Sequence, residues 1–577
     1  MDMIAMTDRT ENELTRVKIV KIYWERVNLF MEIETEYSAD GPGVDELDFF
    51  LVDAQFGARA QFYREMHSES AARLSLNITN PGNCRCLPPG RYQMWACRGS
   101  EILASVEIDT GLASSLLDHS RAFLYNGKTQ SYIVSLSVGE DENHPALIID
   151  VLDSKRIKAP LSAKLKRIIA CTMKTAFNAY YRTLHWWYRT VSPAGKKKTI
   201  LFLEEQNSNL SATIRVLHER MKQRGLDKEF NILFCLSKGE IWQKGIRYCL
   251  GTLRKIALAD QIYVEDHTPT LAWLILADDT QLVQLWHAGA GYKSVGYSRW
   301  GHPACPAPFG SHRQYDYGIT PGANIAHFFS EVFGINTEQI LPTGMPRMDE
   351  YLSEEYRREK TAELFEKYPQ IRGKKVILFA PTYRGSTQAL AYYPYNMIDF
   401  DALYDFCGDE YIVWFKMHPW VMEPVPISER HSDRFFDMTQ YPNIDDLFYV
   451  TDVFIGDYSS NVFEFSFMDK PMLFYAYDEA QYSAVRGFHR DYRSSIPGKL
   501  CHSFDEVLES LRTGDYAFEK LTSYRKEHID NIDTHASDRV IDWFVLGNIP
   551  EEYIKRIDSV REAFRHMESM DFSCLGQ

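Results

Sequence analysis

Residues 375–385 read Lys-Val-Ile-Leu-Phe-Ala-Pro-Thr-Tyr-Arg-Gly. Val376 through Phe379 form a short unbroken apolar run, the pattern of a strand buried on both faces. Pro381 stops it, which leaves Thr382 and Arg384 just beyond its carboxyl end. The same form recurs downstream in Tyr411-Ile-Val-Trp-Phe-Lys, Asp452-Val-Phe-Ile-Gly and Met472-Leu-Phe-Tyr-Ala, with helical segments between. Upstream it recurs in Thr199-Ile-Leu-Phe-Leu, Asn231-Ile-Leu-Phe-Cys-Leu, Ile262-Tyr-Val, Leu282-Val-Gln-Leu-Trp, Tyr317-Gly-Ile-Thr and Ile340-Leu-Pro-Thr-Gly. Helices are predicted over Leu210–Arg224, up to Ala259, and over Ala323–Phe333. Apolar strands alternating with helices predict parallel sheets covered on both faces. Two such α/β units in tandem, 199–346 and 347–548, leave a cleft between the carboxyl ends of their strands, where open sheets of this kind bind ligands.

The flanks differ. Residues 1–153 alternate apolar and polar positions, as in Leu29-Phe-Met-Glu-Ile-Glu, and are punctuated by Asp40-Gly-Pro-Gly and Asn80-Pro-Gly-Asn. This predicts an all-β, sandwich-like accessory domain with no catalytic constellation. Residues 154–198 contain twelve Lys or Arg and no acid, in a chain whose net charge is −15. Pro160 can open a helix here and Pro193-Ala-Gly can close it. Leu161, Leu165, Ile168, Ile169 and Met173 recur at helical spacing, with Trp186, Trp187 and Tyr188 beyond. A basic helical linker with an apolar face and aromatic anchors predicts peripheral association with an anionic membrane surface. Residues 549–577 read as a helical tail. The acidic remainder argues against nucleic acid as a partner.

Composition narrows the rest. At 577 residues, 45% apolar and 25% charged, the chain is neither disordered nor collagen-like nor a small disulfide scaffold. The start of the sequence carries acids and no apolar core, so no signal peptide is expected, and no run approaches the ~20 apolar residues of a spanning helix. The ten cysteines form no C-x-x-C pair. His287, His302, His312 and His327 match no metal-ligand spacing, so neither metal nor cofactor is expected.

Polar residues cluster after the predicted strands. Trp286-His287-Ala-Gly-Ala-Gly-Tyr-Lys293 offers a candidate general base in His287 and a small-residue loop whose backbone can approach a phosphate. Arg347, in Gly344-Met-Pro-Arg-Met-Asp349, is placed to reach a phosphate across the cleft. Thr382 and Arg384 follow the strand quoted above. In Lys416-Met-His418-Pro, alternation points Lys416 and His418 the same way. In Asp457-Tyr-Ser-Ser-Asn-Val-Phe-Glu464, Ser459 and Ser460 open a helix whose free N–H groups suit phosphate, and Glu464 can hold a ribose diol. Any one of these has an ordinary structural explanation; five at strand ends favour a nucleotide-diphosphate site.

Over residues 198–545 the chain resembles the CDP-glycerol glycerophosphotransferase family, the teichoic-acid primases and polymerases. The resemblance rests on WHAGAGYK, HRQYDYGIT, GMPRMD, APTYR, KMHP, DYSSNVFEF and RGFHRDY, in that order. It implies two Rossmann-like halves of the GT-B type that bind a CDP-alditol between them. It also implies transfer of an alditol phosphate to a growing polymer, with CMP leaving and no metal required. Carried over by motif, His287 is the base and His418 the second essential histidine. Ala288, Gly289, Ala290 and Gly291 lie at the donor phosphates, and Arg347 contacts the donor. Pro381 and Thr382 line the nucleotide pocket, and Arg384 is counted among the substrate-binding residues. Lys416 and Met417 meet the diphosphate with His418, Ser459 and Ser460 bind phosphate, and Glu464 replaces the commoner Asp. His-Ala-Gly-Ala-Gly in place of the usual His-Gly-Thr-Pro looks more like the ribitol-phosphate and mixed branches. The acceptor implied is polyprenyl-diphosphate-linked, at the cytoplasmic face of the membrane. Two other readings stay open: a GT-B glycosyltransferase using a nucleotide sugar, and a membrane-bound scaffold with a retired site. Oligomeric state is open too.

Overall fold

The structure is a computed structural model. It describes residues 16–36, 43–53, 58–68, 70–113, 115–125, 130–139, 145–154, 161–191, 196–289, 292–302, 306, 313–385 and 388–569. The first 15 residues, Pro160, Pro193 through Gly195, Ala290, Gly291 and His312 lie outside these, with whatever was expected of them.

Alternation governs the first part of the chain. Asn28–Glu36 and Ala71–Asn77 bury every second side chain and pair antiparallel, Leu29 opposite Leu76 and Met31 opposite Leu74. They belong to a five-stranded sheet that packs with a seven-stranded one. The core between them is finished by Tyr297 and Trp300, which arrive from the first α/β unit. Trp300 lies 4.9 Å from Tyr132 and 5.4 Å from Phe123, ring to ring. Arg26 adds a two-pronged ion pair to Glu331, both contacts 2.8 Å.

The basic stretch forms one helix, Leu161–Val191. From Ile168 to Ala176 it is exposed all round, and from Phe177 onward it lies on the first α/β unit. Phe177, Tyr181 and His185, each one turn apart, make the buried stripe. His185 Nε2 and Arg189 Nε lie 2.7 and 2.9 Å from the Asp279 carboxylate and pin this end.

Each α/β unit holds a six-stranded parallel sheet. The first is ordered Asn231–Leu236, Thr199–Glu204, Gln261–Val264, Gln281–Gln284, Tyr317–Ile319, Ile340–Leu341. The second is ordered Phe435–Asp437, Tyr411–Phe415, Lys375–Phe379, Val453–Gly456, Met472–Tyr475, Lys499–Cys501. In the second, chain order reverses between Lys375–Phe379 and Val453–Gly456, which pair directly. In the first it reverses between Thr199–Glu204 and Gln261–Val264. Neighbouring connections leave opposite faces at such a point, so a crevice opens at the carboxyl ends.

The end of the chain crosses back. Ala536–Val540 and the turn Ile541–Val545, counted with the second unit by position, pack instead on the first. Val540, Ile541 and Phe544 cover Ile200, Leu217 and Tyr263, apolar surface that the first sheet would otherwise expose. Gln261 Nε2 donates 2.8 Å to the Phe544 carbonyl. The final helix, Glu551–Ser569, reaches the β domain, where Met567 packs with Phe50, Val52 and Cys97.

Candidate active site

Residues beyond the strands of both units line one cavity, and the first unit supplies a histidine to it. His287 follows Gln281–Gln284, and Trp286 before it takes the left-handed conformation, φ +47°. A non-glycine residue there costs about 1–3 kcal/mol, so the packing that holds it is set by the surrounding fold. Trp286 is buried against Phe333, ring centroids 5.3 Å apart, and its N–H donates to Gln284 Oε1 at 3.0 Å. His287 is thereby turned outward and half exposed, with Nδ1 3.6 Å from Asp266 Oδ2. Asp266 stands two residues past Gln261–Val264, at the reversal point. That contact leaves Nε2 for the cleft.

Two backbone contacts bind this loop to the second unit. Gly289 lies so close to Phe463 that a Cβ would come 2.1 Å from the ring, so only glycine fits. Beyond it, Lys293 pairs with Phe488 as an antiparallel bridge, Ser294 N–H donates to Gly487 O and His489 N–H to Tyr292 O, both 3.0 Å. A cavity of about 170 Å³ results, walled by His287, Ala288 and Lys293 from one side and Ser460, His489 and Arg490 from the other. Trp286, Val295, Phe328, Phe329 and Val332 complete it.

The other expected histidine is close to Lys293 rather than in this cavity. His418 Nδ1 accepts the Trp420 N–H at 3.2 Å, so its proton sits on Nε2. Its ring packs 4.7 Å from Tyr383 and 5.2 Å from Trp420. Burial, then Lys293 and Lys416, push its pKa down to about 4, so it is a neutral hydrogen-bond donor. Lys416 is buried, and its Nζ donates 2.8 Å to Thr439 O. Burial lowers its pKa as well. The Met417 side chain points the opposite way, into the core of the second sheet, which leaves only its backbone for a ligand.

Several expected ligands are held by other side chains. Thr382 donates through both N–H and Oγ1 to Asp457 Oδ1, at 2.8 and 2.9 Å. Arg384 bonds Asp457 through Nη1 at 3.0 Å and grips Asp478 through Nε and Nη2. Its donors are used, so this buried guanidinium, expected among the substrate-binding residues, here braces Asp457 and the Ser459 turn from behind. Pro381 is buried beside them. Arg347 and Glu464, expected to reach the donor separately, pair with each other, and Arg347 Nη1 also lies 3.3 Å from Asp445. Burial pushes the Glu464 carboxyl up, Arg347 opposes this and Asp445 adds to it. The helix expected to open at Ser459 begins at Val462 and has five residues, because Ser459 and Ser460 form a turn in which Ser459 Oγ accepts the Asn461 N–H at 3.3 Å. Its dipole is correspondingly short.

Three residues of the site were not singled out from sequence. Lys293 closes the His287 motif, Asp266 follows a short strand, and Arg490 sits in RGFHRDY. For all three the signal was present, since each lies just past a strand end or in a motif already noted.

Comparison with known proteins places the chain among relatives. The model of the family described as CDP-glycerol:poly(glycerophosphate) glycerophosphotransferase matches residues 187–546. The teichoic acid ribitol-phosphate polymerase TarL of Staphylococcus aureus is 28% identical over 562 residues, covering 91% of this chain and 98% of that one. The teichoic acid poly(ribitol-phosphate) polymerase of Bacillus spizizenii is 35% identical over 352 residues, 61% of this chain and 56% of its own. Among solved structures, the wall teichoic acid polymerase TagF superposes with a TM-score of 0.50 at 20% identity, over 68% of this chain and all of that one, a likeness of fold. The matched span contains both reversal points, the His287 loop and the strap at Lys293 and Phe488, so the cleft is the shared part: the chain belongs to the CDP-glycerol:poly(glycerophosphate) glycerophosphotransferase family.

Proposed function

We propose that this protein transfers ribitol phosphate or glycerol phosphate from a CDP-alditol to a hydroxyl of a lipid-linked teichoic-acid or capsule-like acceptor, releasing CMP. The observation that carries this is the single cavity in which His287, backed by Asp266, meets Lys293 and Ser460 across the cleft. An acceptor hydroxyl gives its proton to His287 Nε2 as its oxygen attacks the distal phosphorus of the donor. The bond from that phosphorus to the bridging oxygen breaks, and CMP leaves with the electron pair. Asp266 stabilises the imidazolium that forms. Lys293, Lys416 and the Nε2–H of His418 meet the charge that develops on the diphosphate. A neutral His418 suits this, since it donates without competing for the proton. The relatives named above are ribitol-phosphate polymerases, which supports CDP-ribitol as the donor to test first.

We assign the two units the GT-B arrangement, with 199–346 on the acceptor side and 347–548 on the donor side. The β domain 1–153 serves as an accessory module and 549–577 as a tail that ties it down. The segment 154–198 docks the enzyme on the cytoplasmic face of the membrane. No helix among the described residues is long and apolar enough to cross a membrane. Ile168, Ile169 and Met173 stand exposed on the free part of the long helix, and Trp186 and Trp187 near its end, which suits insertion into an anionic surface beside a polyprenyl-linked acceptor.

The decisive experiment incubates the protein with CDP-ribitol, CDP-glycerol and UDP-sugars, a lipid-linked acceptor and EDTA. CMP release from a CDP-alditol, lost in His287→Asn, is expected. UDP release alone would instead support the glycosyltransferase reading.

A further inference from the structure

Arg490 is a buried cation without a carboxylate. It is 7% exposed and lines the cavity that contains His287. Its Nη1 meets Nε2 of His528, a ring whose Nδ1 lies 2.8 Å from the Tyr524 carbonyl. Its Nε and Nη2 have no acceptor among the described residues. The guanidinium carbon sits 4.3 Å over the Phe328 ring, which holds the group in place but neutralises nothing. The acid that acts on it, Glu527, is exposed. Arg26, nearby, is already paired with Glu331. Lys293 adds an amine to the cavity wall, and none of the residues lining it is acidic. Burying an unpaired guanidinium is costly unless an anion comes to it.

The cavity limits what that anion is. About 170 Å³ is below the ~300–1,000 Å³ that encloses a whole drug-sized ligand, so it takes a phosphate with a short polyol and not a nucleoside. It lies at His287, so its occupant is the part of the acceptor adjoining the reactive hydroxyl. A poly(alditol phosphate) chain carries a phosphodiester one alditol behind that hydroxyl. We propose that Arg490 binds this last phosphodiester of the acceptor, and so selects a growing chain over a bare polyol. This rests on the transferase function proposed above.

The test uses the full chain, CDP-ribitol, and two acceptors: a short synthetic poly(ribitol phosphate) and free ribitol. Wild type, Arg490→Lys and Arg490→Met are compared by CMP release. The ratio of kcat/KM between acceptors does not depend on how much of a variant is folded. Wild type is expected to favour the phosphorylated acceptor by roughly 10–100-fold, the worth of a charge-assisted hydrogen bond or two. Arg490→Met should bring the ratio close to unity, Arg490→Lys should keep part of it, and KM for CDP-ribitol should not move. A preference absent in wild type or intact in Arg490→Met overturns the assignment. A CDP-ribitol KM that rises in Arg490→Met overturns it too, because the anion is then the donor's. Wild type that releases no CMP from CDP-ribitol or CDP-glycerol with either acceptor overturns the transferase function itself and this assignment with it.

Discussion

Lys293 lines the His287 cavity and also acts on His418, so its charge touches both halves of the proposed reaction. Burial, partly offset by Asp457, pushes its pKa down to about 8, with Arg486 and Arg384 adding to the fall. A lysine with a lowered pKa is charged below that value and loses its proton above it. The free enzyme should therefore lose kcat/KM as pH rises through about 8, and Lys293→Arg should move that limb upward by more than a unit. A pH profile of CMP release with donor and acceptor both well below KM checks this. His418, at about 4, should leave no mark on the same profile above pH ~5. Much at this scale was readable beforehand. His287, His418 and Ser460 stood out because strand ends in parallel sheets collect ligands. Thr382 and Arg384 stood out for the same reason, but their partners Asp457 and Asp478 lie 73 to 94 residues away, and one sequence does not reveal which cations its carboxylates will hold. The Met417 side chain faces the core because neighbouring residues in extended chain face opposite sides.

Short elements join the halves of the cleft. The loop after Gln281–Gln284 touches the second unit at Gly289, under the Phe463 ring. Gly289→Ala must displace Phe463 or the loop, since 2.1 Å is no real contact. It should lower kcat by about tenfold or more while the melting temperature moves little, because a displacement of about 1 Å at a reacting group has that effect. Steady-state CMP release alongside a thermal melt measures both. The long helix Leu161–Val191 is a different device, ~46 Å long at 1.5 Å per residue. Ile168 and Ile169 are 62% and 51% exposed. Ile168→Ser with Ile169→Ser should weaken co-sedimentation with phosphatidylcholine–phosphatidylglycerol vesicles by about tenfold or more, each loss being worth ~1.5–3 kcal/mol of apolar transfer. Activity on a soluble acceptor should stay as it was. The basic composition pointed to this helix plainly. Its division into a free half and a docked half depends on the Phe177, Tyr181 and His185 stripe, whose partners on the first unit had no signature in sequence.

The whole molecule is held together by exchanged side chains. Trp300 is 4% exposed inside the β domain although it belongs to the first α/β unit, and Met567 returns to the same domain from the last helix. Trp300→Ala should cost about 3–5 kcal/mol, the range for emptying a large aromatic from a core. Denaturant melts should register that loss, and limited proteolysis should then cut between the β domain and the remainder before either is digested. Alternation and turns announced a β domain, but not that its core would be shared, because Trp300 lies in a stretch without strand or helix periodicity. The sharing sets a timetable for synthesis. The twelve strands among the described residues are complete once residue 154 has been made, yet Trp300 joins their core 146 residues later. At ~5–20 residues per second that interval is roughly 7–30 s. Throughout it a nascent sandwich lacks two aromatic rings of its core, Tyr297 and Trp300, so its full stability should arrive only with them.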